Sequence, residues 1–328
     1  MYKDVKSKKY VVKQVVTQLK RLPAIAYSLL MLGIFILIFS IGSNSFLNIY
    51  NIKTIGTSAS ILLAVAIGQV FAITTGGIDL SVGGIMSLVS VVLMSTFDKI
   101  GMLAYVLSIL VGLIAGYING VINARLKIPS FITTLGTNGI FISVAYMISA
   151  KPLSAPQSAY KIMDFINGSC LGFNNLMLIG AVIFVFFYMV QKYTTTGRLI
   201  HLLGSNEKMS WLSGVDVGKI RILAFTLSGA GAGLAGVMLG SNLYSGYPTL
   251  GSVYILNSIA SVVIGGTAMT GGSGGVLNTL VGVLVMSVIQ NGMNIIGIDV
   301  YAQQTFLGVL VILAVAISFD RSKLSVVK

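Results

Sequence analysis

The chain has 328 residues, of which 55% are hydrophobic and only 9% charged, with a mean hydropathy of +0.94. A soluble domain carries about 25% charged residues, so this composition excludes a water-facing globular protein and indicates an integral membrane protein. One cysteine, Cys170, excludes an internal disulfide, and with His201 as the only histidine neither a zinc site nor a Ser-His-Asp triad finds support.

Apolar runs of ~20 residues cross a bilayer. Ten are read in chain order, at 24–42, 55–75, 79–96, 101–124, 130–149, 171–190, 220–243, 252–270, 275–296 and 301–319. The expected fold class is an all-α polytopic membrane protein. A basic segment, 1–23, precedes a single transmembrane domain, 24–319, and a tail, 320–328, follows it. No small-x-small cleavage site follows the first run, so it is read as an uncleaved helix. With both termini cytoplasmic, every Lys and Arg except Lys53, Lys99, Lys151 and Lys161 falls on the inner side. That is the positive-inside pattern, so the net charge of +13 reports orientation and not nucleic-acid binding.

Two of the runs open in glycine-rich sequence and are expected to be broken or re-entrant, near Gly76–Asp79 and near Gly271–Gly275. In "ITTGGIDLSVGG", Gly76 and Gly77 permit a sharp reversal. Asp79, with Ser81 as a second oxygen, then caps the next helix from an interfacial depth. A direct role for Asp79 in gating or substrate contact is the alternative. "MTGGSGGV" makes a similar turn without a carboxylate. Elsewhere Gly112, Gly116 and Gly120, and Gly229 and Gly233, have the spacing that lets helix backbones approach closely.

Two loops are long enough to meet soluble partners: an extracytoplasmic one at 150–170 and a cytoplasmic one at 191–219. The inner loop contains "GSNEKMSWLSGV", which reads as a short helix. Ser205 or Asn206 caps it, Glu207 suits the helix dipole, and Gly214 closes it in the left-handed conformation. So short a helix is marginal alone in water. The residues leave two readings for exposed Trp211 and Leu212, docking onto a partner or resting on lipid. The nearby "GVDVGKI" is one residue short of a phosphate-binding loop and has Ile220 where a hydroxyl is required.

Four blocks carry a resemblance: "AIGQVFAITTGGIDLSVGGIMSLVSVV", "INGVINARLKIPSFITTLGT", "TTTGRLIHLLGSNEKMSWLSGVDVGKIRILAFTLSG" and "SVVIGGTAMTGGSGGVLNTLVGVLVMSVIQNGMNIIGI". In this order, over about residues 50–320, the chain closely resembles permease subunits of bacterial ABC importers for ribose and related simple sugars. The resemblance implies a bacterial inner-membrane location and three kinds of partner: a second permease subunit, two cytoplasmic ATPase subunits and an extracytoplasmic sugar-binding protein. It implies that ATP is hydrolysed by the partner, and no cofactor or metal is expected in this chain. It also makes Gly204, Ser205, Asn206, Glu207, Lys208, Met209, Trp211, Leu212, Ser213 and Gly214 the coupling segment. Lys208 and Met209 depart from the two alanines usual there, so the ATPase groove would have to match larger side chains.

A sugar path needs neutral hydrogen-bonding groups within the spans. The expected lining is Gln69, Thr134, Thr137, Asn138, Asn257, Gln290, Asn291 and Asn294, each weighed against a plain interhelical hydrogen bond. In the outer loop, Lys161 and Asp164 are expected to help receive the binding protein. A secondary transporter would want intramembrane charges for ion coupling, and almost none appear away from the ends of spans; a membrane-embedded enzyme would want a His cluster or paired carboxylates, which are lacking. Nucleosides, inositol or a furanose signalling molecule are the alternative solutes.

Overall fold

A computed structural model of the chain describes residues 23–170 and 172–318. The expected basic segment, apart from Pro23, and the tail 320–328 lie outside the described residues. The first helices in chain order are α1 (Ala24–Gly42), α2 (Ile49–Thr74), α3 (Val82–Ile100), α4 (Leu103–Leu126) and α5 (Ser130–Ile148). An outer excursion with a short α6 (Tyr160–Asn167) leads to α7 (Asn175–Tyr193). On the inner side come α8 (Thr195–Ser205) and α9 (Glu207–Leu212), then α10 (Val217–Leu243), α11 (Tyr254–Ile264), α12 (Val276–Ile295) and α13 (Val300–Ser318).

Eight of the described helices, α1 to α5, α7, α10 and α12, are long and apolar enough to cross a bilayer. The expected tenth span, 301–319, is not among them, and neither is the expected eighth, 252–270. The latter holds only the eleven-residue α11, which covers about 16 Å, half of a hydrocarbon core. Gly265 and Gly266 end that helix, and the turn that follows runs on to Gly275. The expected third span also starts later than foreseen, because Thr75–Ser81 is non-helical and α3 begins at Val82.

Helices α2, α3, α10 and α12 carry most of the core. The second half of α2, Ala59–Thr74, is buried throughout, and α10 is buried along most of its length from Ala224 to Ser241. The small residues explain how α10 serves several neighbours at once. Gly231 faces Gly68 of α2, where an added Cβ would come 2.6 Å from the Gly68 Cα. Gly229 and Gly233 face Gly116 and Gly112 of α4, and Gly236 faces Met86 of α3. The spaced glycines therefore serve close packing inside one chain.

On the outer side, short strand β1 (Leu153–Ser154) pairs antiparallel with β4 (Ser245–Gly246), and β2 (Ser169–Cys170) with β3 (Phe173–Asn174). The first pairing ties the 150–170 loop to the end of α10. There Tyr244 adopts a left-handed φ of 49°, rare for an aromatic residue. Several contacts hold it: its hydroxyl donates to Asp164 Oδ1 at 2.6 Å, Ala155 N–H donates to its carbonyl, and its ring meets Tyr160 edge-on. The hydrogen bond to Asp164 raises the phenol above its ordinary pKa. Asp164 is thus engaged with its own chain, and Lys161 stays exposed.

Candidate functional site

The inner loop folds as two short helices. Asn206 ends α8 and starts α9: its Oδ1 accepts from Met209 N–H at 3.0 Å, so Asn206 and not Ser205 is the cap. At the other end Gly214 adopts φ +79°, with Gly214 N–H donating to Trp211 O and Val215 N–H to Ser210 O. That crossed pair of bonds is the glycine closure expected from the sequence. Glu207 forms an ion pair with Arg221 of α10. Ser210 is buried, while Lys208, Met209, Trp211, Leu212 and Ser213 are exposed. Three large apolar side chains thus stand on six helical residues, with Met209 56%, Trp211 68% and Leu212 60% accessible. A cleft lined by Trp211, Gly214, Val215, Asp216 and Gly218 opens beside them.

Behind this surface the loop rests on both glycine turns. A Cβ added to Gly204 would overlap the Thr74 carbonyl oxygen and come 2.5 Å from Gly272 N. The turns also touch one another, because Gly272 N–H donates to Thr74 O at 2.9 Å. A second link runs through Gln191 at the end of α7. Its Nε2 lies 3.0 Å from His201 Nε2 of α8, and its Oε1 accepts from Val276 N–H, the first residue of α12, at 2.8 Å. The similarity of T-G-G at Thr75–Gly77 and Thr270–Gly272 thus has a spatial counterpart: the two meet beneath Gly204.

Asp79 sits deeper than the interfacial cap that the sequence suggested. Gln69, five residues before the end of α2 and so about 7 Å inside it, donates to the Asp79 carbonyl at 2.7 Å. The carboxylate is fully buried. Its Oδ1 accepts from Ser81 N–H (2.9 Å) and Ser81 Oγ (2.6 Å), and its Oδ2 from Ser228 Oγ of α10 (2.7 Å). Asn119 of α4 donates to Ser81 Oγ at 2.7 Å. Buried charges persist where hydrogen bonds replace water, and here three donors do so. Helix α3 starts at Val82, and the residue Asp79 binds is the one before it. Gln69 Oε1 and Asn119 Oδ1 are buried without a partner among the described residues.

The expected path residues divide by what they touch. Ser130, Thr134 and Asn138 stand at four-residue spacing on one face of α5. They accept from Ile78 N–H, Leu80 N–H and Gly84 N–H at 3.0, 3.0 and 2.9 Å. They replace the backbone bonds that the extended turn cannot make for itself. Thr137 is buried and donates to Thr134 O. Gln69 serves the Asp79 turn. Asn291 exchanges two 2.9 Å bonds with Asn51 of α2, and Asn294 accepts from Gln303. Asn257 is buried and Gln290 half-buried. The eight are not brought together into one site.

Residues 51–315 match the family described as "Branched-chain amino acid transport system / permease component". The ribose import permease of Bacillus subtilis (strain 168) is 35% identical over 299 residues, 89% of this chain and 92% of that protein. The D-allose transport system permease protein of Escherichia coli (strain K12) is 33% identical over 87% of this chain and 89% of its own length. For the fructose import permease of Rhizobium meliloti the figures are 33%, 83% and 78%. No solved structure matches. A multi-pass helical membrane protein whose family match runs from the start of α2 into α13 belongs to this family of transport-system permease components.

Proposed function

We propose that this chain is the membrane-spanning subunit of an ATP-driven importer of a simple sugar, with ATP hydrolysed by a separate cytoplasmic ATPase that docks on α9. The observation that carries the reading is the inner loop. Exposed Met209, Trp211 and Leu212 cap a helix whose rear, at Gly204, is packed without clearance against the turns that begin α3 and end α11. A marginal six-residue helix gains from a partner groove, and a Trp anchor is the kind of residue that dominates such an interface. The seat on two turns gives the docked partner a mechanical hold on the bundle. Relatives named for ribose, allose and fructose support a sugar as the solute, delivered by an extracytoplasmic binding protein to a pair of permease subunits.

The test is reconstitution in nanodiscs with the ATPase encoded beside this chain. Binding proteins loaded with ribose, allose, fructose, a nucleoside or inositol are then added. Stimulation of ATP hydrolysis by a sugar-loaded binding protein, lost in Trp211→Ala, is expected. Solute movement driven by an ion gradient without any ATPase would overturn the reading.

A further inference from the structure

Between β4 and α11 the chain runs in non-helical turns along α3. Gly246 packs on the backbone at Ser90, and Gly251 on that at Gly83, with Gly251 N–H donating to Ser87 Oγ at 2.9 Å. These partners lie in the first half of α3, which itself starts beside the deeply set Asp79. The chain thus descends from β4, on the outer side, past Ser90 to the level of Gly83 near the start of α3, and so crosses the middle of a ~30 Å core. Successive turns hold the segment, with Leu250 N–H on Tyr247 O, Ser252 N–H on Thr249 O and Tyr254 N–H on Gly251 O.

Non-helical backbone at this depth is tolerated where protein buries it or where it lines water. One side of the segment, at Gly246, Pro248, Leu250 and Gly251, is buried. The other is open. Thr249, Ser252, Val253 and Leu256 are exposed at helical spacing, and the hydroxyls of Thr249 and Ser252 make no hydrogen bond among the described residues. Lipid tails offer these hydroxyls nothing. The residue of α3 next to Gly83, Gly84, is held by Asn138 of α5. The exposed Gly136 and Gly139 of α5 have no neighbouring side chain within reach of a Cβ.

We propose that the Thr249–Leu256 face is the mid-membrane wall of the solute path, with Thr249 and Ser252 contacting the hydroxyls of the passing sugar. This rests on the import reading above. Two hydroxyls beside Val253 and Leu256, with no ionisable group among them, fit a neutral polyhydroxylated ring that has both a hydroxyl rim and C–H faces. The same wall is continuous with α11, which leads in eleven residues to the Gly265–Gly275 turn under Gly204. Movement of the docking loop thereby has a short route to it.

The test uses the whole complex in vesicles, in a Cys170→Ala background that removes the one native thiol. Thr249→Cys and Ser252→Cys, both near-isosteric, are compared with Leu37→Cys on the 65%-exposed face of α1. The probe is a hydrophilic methanethiosulfonate, and D-ribose uptake is measured in parallel for Ser252→Trp. Labelling at 249 and 252 is expected to be on the order of tenfold faster than at 37, because the reagent reacts through water, and Ser252→Trp is expected to abolish uptake in an assembled complex. Labelling of both sites at the Leu37 rate, or a complete disulfide between two copies at 252 that shuts the reagent out, would overturn the proposal. A wild-type complex that moves no sugar while the Thr249→Cys and Ser252→Cys variants label fast would count against the import reading and leave the wall standing.

Discussion

The two glycine turns beneath Gly204 look alike in sequence and are held in different ways. The first, Thr75–Ser81, is fastened by side chains from three other helices. Ser130 and Thr134 of α5 take its N–H groups, Ser228 of α10 binds Asp79, and Asn119 of α4 binds Ser81. The second, Gly265–Gly275, is held by its own backbone, by Thr267 Oγ1 accepting from Gly275 N–H, by the link to Thr74 O, and by one side chain from another helix, Gln191 of α7, at its end. Five of its glycines, Gly266, Gly271, Gly272, Gly274 and Gly275, have positive φ, and Thr270 and Ser273 are exposed. A turn clamped by buried polar groups is rigid; one built of glycine with few long-range bonds opens at low cost. On the proposed docking reading, the first turn anchors the inner loop and the second is the one expected to move.

That contrast breaks most severely at Asp79. Asp79→Ala leaves the Ser81 N–H and the hydroxyls of Ser81 and Ser228 buried without their acceptor, at a cost of about 3 kcal/mol or more. A large fall in thermal stability of the purified chain is expected, and a Tm within error of wild type would remove the anchor from the account. Gly204→Val comes next. Its side chain collides with Thr74 O and Gly272 N, for about 1–3 kcal/mol of strain at the seat. ATP-driven uptake should fall on the order of tenfold with ATPase binding retained, as read by co-purification and transport together. Uptake at the wild-type rate would show that the seat carries no force.

Smaller changes sharpen the comparison. Thr134→Val removes the acceptor for Leu80 N–H from the first turn, so about 1–2 kcal/mol of stability should be lost in a denaturation series. Thr267→Val removes one bond from the second turn and is expected to cost about 1 kcal/mol or less. It should also raise amide exchange at Gly275 while leaving Ile78 and Leu80 protected. Equal effects of the two threonines would erase the distinction between anchor and hinge.

Much of this was legible in the sequence because it depends on local chemistry. The Asn206 cap, the left-handed Gly214 and the non-helical Gly76–Asp79 stretch follow from residue type and near neighbours. The depth of Asp79 does not, since its partner Ser228 lies 149 positions away. Ser130, Thr134 and Asn138 carried a usable signal in their four-residue spacing on an apolar helix. Their bonds to Ile78, Leu80 and Gly84 N–H are not legible there, because one sequence cannot show which backbone N–H groups lack partners. The expected spans at 220–243 and 252–270 leave only 244–251 between two full crossings. Hydropathy over 252–270 stays high across Gly265–Gly266, so a window long enough to find a span cannot see that the helix inside it is half length.

The most direct test of the central claim, that ATP-driven motion enters at α9 and leaves through the second turn, is hydrogen exchange on the assembled transporter with and without ATP. The account predicts that amides of Gly266–Gly275 change protection with the nucleotide while those of Ile78–Ser81 stay slow in both states. Exchange that changes at Ile78–Ser81 and stays constant at Gly266–Gly275 would contradict it.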